Sequence, residues 1–286
     1  VPTGAPAAST DGTTTPPVPS GAAVSAPGGE VVTTSTARSV QPVPTPQPTV
    51  ADAGSAPVSV AAVVERLAHD PDAFTEGLFI DDGTLVESTG MLGRSEVRVV
   101  DLASGKVVDR VSIPREQFGE GVAVVGDELF QLTWTSGVAH VYDRETLRER
   151  RTIRYEGEGW GLTADGAELV MSDGSDTITW RDPATLAVTR SIQVHDDGAP
   201  IDRLNELELV DGELWANVWL TPRIARIDPA TGRVIGWIDV SALRPASAES
   251  DRDAVANGIA FDAETGAVYV TGKLWDTLYR IERPAG

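Results

Sequence analysis

Self-similarity at a regular spacing constrains this chain more than any other feature. Five segments share one plan, an apolar run, a turn containing glycine and a second apolar run: "LFIDDGTLVES", "VAVVGDELFQLTW", "LTADGAELVMSDG", "LELVDGELWANVW" and "IAFDAETGAVYVTGK". Their turn glycines, Gly83, Gly126, Gly166, Gly212 and Gly266, are 43, 40, 46 and 54 residues apart. Asp-Gly, Gly-Asp and Thr-Gly pairs between such runs mark β-hairpins, because glycine adopts the positive φ that a tight turn needs. A second hairpin-like unit follows each of the first four: "VRVVDLASGKVVDRVSI", "AHVYDRETLRERRTI", "ITWRDPATLAVTRSIQV" and "IARIDPATGRVIGWIDV". Two hairpins per repeat make four antiparallel strands, a sheet that buries its faces only by stacking on its neighbours. The expected fold is all-β, a five-bladed β-propeller with four strands per blade.

The fifth repeat ends one strand short, at "LWDTLYRIERP", and "VSVAAVVERLAH" at residues 58–69 can supply the missing strand. An N-terminal strand in the last blade would close the ring and cover an exposed sheet edge. Before it the composition changes: residues 1–59 hold 11 of the 19 prolines and no aromatic residue. Such a segment cannot bury enough apolar surface to offset its ordering entropy. The expected organisation is a disordered spacer over residues 1–57 and one catalytic propeller over 58–286. A Thr/Pro/Ala tail with no initiator Met and no apolar leader reads as an exported product, secreted or envelope-associated, including a processed lipoprotein.

Charge and residue usage narrow the chemistry. The net charge of −20 argues against nucleic acid and anionic membranes as partners. There is no cysteine, hence no disulfide framework and no thiolate nucleophile or metal site. No apolar run reaches 18 residues, so no membrane-spanning helix is expected, and a monomer is expected. The three histidines, His69, His140 and His195, are scattered; His69 reads as a turn or capping residue, and the other two as surface strand residues. Trp180, Trp215, Trp237 and Trp275 read as core or blade packing.

Aligning the first strand of each repeat on its first apolar residue exposes a second pattern. Immediately before it stand Glu76-Gly77, Glu120-Gly121, Trp160-Gly161, Asn205-Glu206 and Asn257-Gly258. The antiparallel second strand returns to the same rim, where Trp134, Trp219 and Lys273 stand. Innermost strand starts surround the mouth of a propeller, so these residues are expected to face one opening. The set offers no Ser-His-Asp order, no phosphate-cradling loop and no metal-spaced histidine pair. It does offer a carboxylate among aromatics, where burial raises a pKa toward neutrality and suits a proton carrier. Glu120, with Phe118 before it and Trp134 closing its hairpin, is the better candidate. A nearby Glu76 would share a proton with it, and Lys273 would offset the acids or hold a substrate carbonyl.

The motifs "HDPDAFTEGL", "GEGWGLT", "LVMSDGS", "LNELE", "WANVW", "NGIAFD" and "VTGKLW", with "FGEGV" and "LFQLTW", resemble the plant and bacterial type of glutaminyl-peptide cyclotransferase. The resemblance runs from about residue 69 to residue 281 and implies a five-bladed propeller. It implies substrates that are peptides or proteins with N-terminal glutamine, cyclised to pyroglutamate with loss of ammonia. By similarity Glu120 is the acid/base; Phe74, Phe118, Trp134, Trp160 and Trp219 form the aromatic pocket; Asn205 and Lys273 contact the substrate. Asn205, Lys273 or an indole N–H would stabilise the oxyanion. Glu76 departs from the pattern, since plant members have Gln there. The resemblance implies no catalytic metal or other cofactor, with room for a structural calcium in the channel. Two other readings of the same residues are a calcium-dependent propeller lactonase and a non-catalytic propeller that binds a peptide or sugar.

Overall fold

The computed structural model describes residues 55–284, so the expected spacer lies outside the described residues except for its last three. The structure is the expected five-bladed β-propeller. Blade I consists of Thr75–Asp81, Thr84–Thr89, Glu96–Asp101 and Lys106–Ser112. Blade II follows with Gly119–Val125, Glu128–Thr133, Val138–Asp143 and Glu149–Arg154, and blade III with Leu162–Asp165, Glu168–Ser172, Thr177–Arg181 and Val188–Gln193. Blade IV holds Leu204–Val210, Glu213–Val218, Arg223–Ile227 and Val234–Asp239. Blade V holds Ala256–Asp262, Ala267–Gly272 and Thr277–Ile281, completed by Val63–Ala68. Each inner strand packs on that of the next blade, and the fifth packs on the first, so the ring closes.

Burial follows position in the blade. The inner strand of blade II is buried over its first five residues, whereas the outer strand Glu149–Arg154 has no fully buried residue. The core is correspondingly divided into five clusters, one between each pair of adjacent blades. Trp180, Trp215 and Trp275 are fully buried there and Trp237 nearly so, as their sequence setting implied.

The N-terminal segment does more than was expected. Val63–Ala68 pairs antiparallel with Thr277–Ile281 and closes blade V. Val58–Val60 takes a different course, running parallel to the outer strand of blade IV with Val58 opposite Trp237. Ahead of it the Ala56 N–H donates to Asp196 Oδ1 at 2.8 Å, and the Trp237 N–H donates to the Pro57 carbonyl at 2.8 Å. One stretch of chain therefore ties two blades together.

Two of the three histidines, His69 and His140, differ from their sequence reading. His69 is buried in the closure between blades V and I: its Nδ1 lies 2.7 Å from the Trp275 carbonyl and its Nε2 lies 3.1 Å from Glu87 Oε1. Arg98 Nε donates to Glu87 Oε2 and Arg98 Nη1 to Asp70 Oδ2, both at 2.8 Å. Burial alone would raise the Glu87 carboxyl, but the His69 charge and hydrogen bond and the Arg98 charge hold it at about 2. His140 is also buried, between Gln117 and Glu149. Both rings sit among charged neighbours inside the sheet, which their scattered positions in sequence could not reveal.

Candidate active site

Local backbone geometry explains why the strand starts carry the site. The inner strands of blades I, II, IV and V each contain a register shift, at Thr75/Gly77, Gly119/Val122, Leu204/Leu207 and Ala256/Ile259. A bulge puts an extra residue on one strand and re-aims its side chain. Glu76, Glu120, Asn205 and Asn257 occupy these bulges, so they lie within the inner strands rather than before them. The glycines that follow Glu76 and Glu120 permit close approach. A Cβ on Gly121 would collide with the Leu162 N–H and lie 2.6 Å from the Trp160 carbonyl oxygen, and one on Gly77 would lie 2.6 Å from the Val122 nitrogen. The Gly121 N–H donates to that Trp160 carbonyl at 2.7 Å. Blades therefore converge at one end of the ring, where Glu76 and Glu120, each before such a glycine, turn into the opening.

The opening is a cavity of about 350 Å³. Phe74, Glu76, Phe118, Glu120, Trp134, Trp160, Asn205, Trp219 and Lys273 all line it. Asn257 does not; it lies behind the wall, fully buried, and its Nδ2 donates to the Thr75 carbonyl at 2.9 Å and to Glu76 Oε2 at 3.3 Å. Met91 and Asp253 also line the cavity and were not anticipated. Met91, with Leu92, is an exposed apolar residue in a loop, a signal available in "GMLGR". Nothing in "AESDRDAV" distinguishes Asp253 from its acidic neighbours.

At the floor two carboxyl groups and one ammonium meet. Lys273 Nζ donates to Glu76 Oε1 at 2.7 Å, and its ammonium also lies 4.7 Å from the centre of the Phe74 ring. Glu76 is 1% exposed, Glu120 6% and Lys273 6%, so water screens none of them well. Burial, and then the neighbouring Glu76 charge, push Glu120 well above the ordinary carboxyl range. Burial raises Glu76 too, but the Lys273 charge and hydrogen bond oppose that rise. Both carboxyls therefore resist ionisation, Glu120 more strongly than Glu76, and the hydrogen bond between them favours the proton on Glu120. Ring closure sets this contact. The Leu274 N–H donates to the Ala73 carbonyl at 2.6 Å, joining the strand end that carries Lys273 to the segment that carries Phe74 and Glu76.

The rest of the wall is aromatic, and two of its polar groups are free. Asn205 Oδ1 is buried without a hydrogen-bond partner among the described residues. The Trp134 and Trp160 indole N–H groups both donate to Glu158 Oε2, at 2.7 and 2.9 Å. No such bond engages the Trp219 indole among the described residues. Asn205 Oδ1 can only accept, but no hydrogen bond engages the Asn205 Nδ2 among the described residues, so of the expected oxyanion donors that amide nitrogen and the Trp219 N–H are unoccupied, whereas Lys273 is held by Glu76.

A family of proteins has this ring and this sequence. The model of the glutamine cyclotransferase family matches residues 34–283. This chain belongs to the glutamine cyclotransferase family. It is 42% identical over 224 residues to the Arabidopsis thaliana glutaminyl-peptide cyclotransferase, a match covering 77% of this chain and 70% of that one. The crystal structure of the Myxococcus xanthus glutaminyl cyclase matches with a TM-score of 0.75 and 38% identity, covering 79% of this chain and 97% of that one. Family membership decides against the propeller-hydrolase and pure binding readings of the same residues.

Proposed function

We propose that this glutamine cyclotransferase binds the N-terminal glutamine of a peptide or protein in the aromatic well and cyclises it there, with Glu120 as the proton carrier. The observation that carries the assignment is the Glu120 carboxyl itself. It is buried, raised in pKa, linked to Glu76 and ringed by the aromatics that would hold the glutaminyl side chain. The α-amine nitrogen attacks the side-chain amide carbon and forms the ring C–N bond. The attacking nitrogen loses a proton to the carboxyl pair, whose ionised form is the base. The pair returns a proton to the amide nitrogen, that C–N bond breaks, and ammonia leaves with pyroglutamate behind. Negative charge on the former amide oxygen requires a donor, for which the free Asn205 amide and Trp219 N–H are the groups on hand. One proton shuttled between two carboxyls serves both steps, since a group near neutral pKa accepts and donates readily.

Glu76 and Lys273 are buried lining residues whereas Met91 and Asp253 are exposed ones, so in this reading the glutaminyl side chain points toward the former and the rest of the peptide leaves past the latter. A structural calcium fits this chain poorly. Among the described residues no three acidic or histidine side chains are placed to hold a metal ion. The buried Glu206 already accepts the Ile259 N–H at 2.8 Å and the Leu78 N–H at 3.3 Å. Calcium's six to eight oxygens would have to come mainly from backbone and water, and no step of the reaction is routed through an ion.

The test is ammonia release from Gln-Ala or Gln-Gln. The intact protein is expected to release it, and Glu120→Gln to lower kcat by at least about 100-fold, the usual contribution of a positioned acid/base. Full turnover in Glu120→Gln would overturn the assignment of Glu120. No release by the intact protein would overturn the activity.

A further inference from the structure

The aromatic wall is not one continuous stack. Phe74 meets Phe118 edge to face at 6.0 Å, and Phe118 meets Trp134 at 6.0 Å. On the other side Trp160 meets Trp219 edge to face at 5.6 Å. No ring contact joins Trp134 to Trp160 among the described residues. The two halves are joined instead by a carboxylate, because Glu158 Oε2 accepts both indole N–H groups, at 2.7 and 2.9 Å.

Resting on the function proposed above, we propose that Glu158 is a positioning residue for that reaction, a clasp that sets the spacing of Trp134 and Trp160 across the well. Glu158 is exposed, so water could satisfy either indole in its absence. The two bonds therefore matter for geometry rather than for relieving a buried donor. The backbone holds the clasp in place. Gly157, at φ 87°, turns the chain in a conformation that glycine tolerates, and the Gly159 N–H donates to the Trp134 carbonyl at 3.0 Å. Glu158 is thus fixed between the two rings it bridges. A rigid aromatic pair, held before the substrate arrives, avoids the ordering that loose rings would undergo on binding. The carboxylate has a second effect at a distance, since its negative charge adds to the burial and the Glu76 charge that keep Glu120 protonated.

The two effects separate experimentally because both indoles use a single oxygen. In Glu158→Gln the amide oxygen can accept both N–H groups while the charge is gone. In Glu158→Ala both bonds are lost. We expect Glu158→Ala to raise KM for Gln-Ala by about ten-fold, the scale of one to two net hydrogen bonds, with a smaller effect on kcat. Glu158→Gln is expected to keep KM within about three-fold of the parent and to move the acid limb of the kcat profile to lower pH. Thermal unfolding should be nearly unchanged in both, which excludes a general folding defect. An unaltered KM in Glu158→Ala would overturn the clasp, and so would a Glu158→Gln variant as impaired in KM as Glu158→Ala. Because the parent protein is assayed alongside, failure of the clasp is distinguishable from failure of the proposed activity, in which no protein would release ammonia.

Discussion

Replacing Glu76 with glutamine removes one negative charge from beside Glu120 while nearly preserving the size of the side chain. Glutamine keeps an oxygen for the Lys273 ammonium, which donates to Glu76 Oε1 at 2.7 Å. Two unit charges about 4 Å apart interact by about 4 kcal/mol at an effective dielectric of about 20, and 1.36 kcal/mol corresponds to about one pKa unit. Losing the Glu76 charge also leaves Lys273 acting unopposed on Glu120, which favours the ionised carboxylate further. Both changes act in the same direction, so the Glu120 pKa should fall. The assay is steady-state ammonia release from Gln-Ala across about pH 5 to 10. The free substrate's α-amine titrates near about 7.7–8.0 and shapes kcat/KM identically for both proteins, so the acid limb of kcat is the diagnostic curve. Its midpoint should move down in Glu76→Gln, with peak kcat equal to or above that of the parent. A limb that stays in place, or moves up, would refute the shared proton.

Three further outcomes follow from the scaffold. His69→Ala removes one partner of a buried ion pair and should cost about 3 kcal/mol, lowering Tm by roughly 6–12 °C for a domain of this size. The loss should be greatest between about pH 4.5 and 6.5. Glu87, held at about 2, contributes fully above its unfolded value of 4.5 and loses that contribution as the pH falls toward 2. His69, raised despite the opposing effect of burial because Glu87 outweighs it, contributes fully below 6.5 and loses that contribution as the pH rises through its folded value. Burial pushes Glu208 up to about 8, so its burden has the opposite sign to that of Glu87. Stability should fall as the pH rises from 4.5 to 8, by at most about 5 kcal/mol, and chemical denaturation of Glu208→Gln should show a flatter dependence over that range. Gly121→Ala should lower Tm and kcat together, because its Cβ would lie 2.6 Å from the Trp160 carbonyl and force blades II and III apart at the mouth; a variant with parental Tm would refute the close-approach argument.

Much of this protein could be read from its residues in order. The hairpin spacing gave the five blades, because each sheet has to repeat the same alternation of buried strand and turn to stack on its neighbours. Residues such as Glu120 and Trp160 were visible as polar or aromatic intruders at one recurring position, where a core would place small apolar groups. Their chemistry was also partly legible, since a carboxylate set among aromatics must resist ionisation. The sequence could not show the register shifts that turn Glu76 and Glu120 inward, because a bulge depends on how the paired strand lies. Nor could it place Val58–Val60 on blade IV, bury His69 against Glu87, or bring Glu158 between two tryptophans. Those contacts join positions far apart in the chain or separated by a turn whose path is set by packing. Local pattern determined the ring and its mouth; only ring closure decided which charge faces which, because electrostatic coupling depends on distances that sequence spacing does not carry.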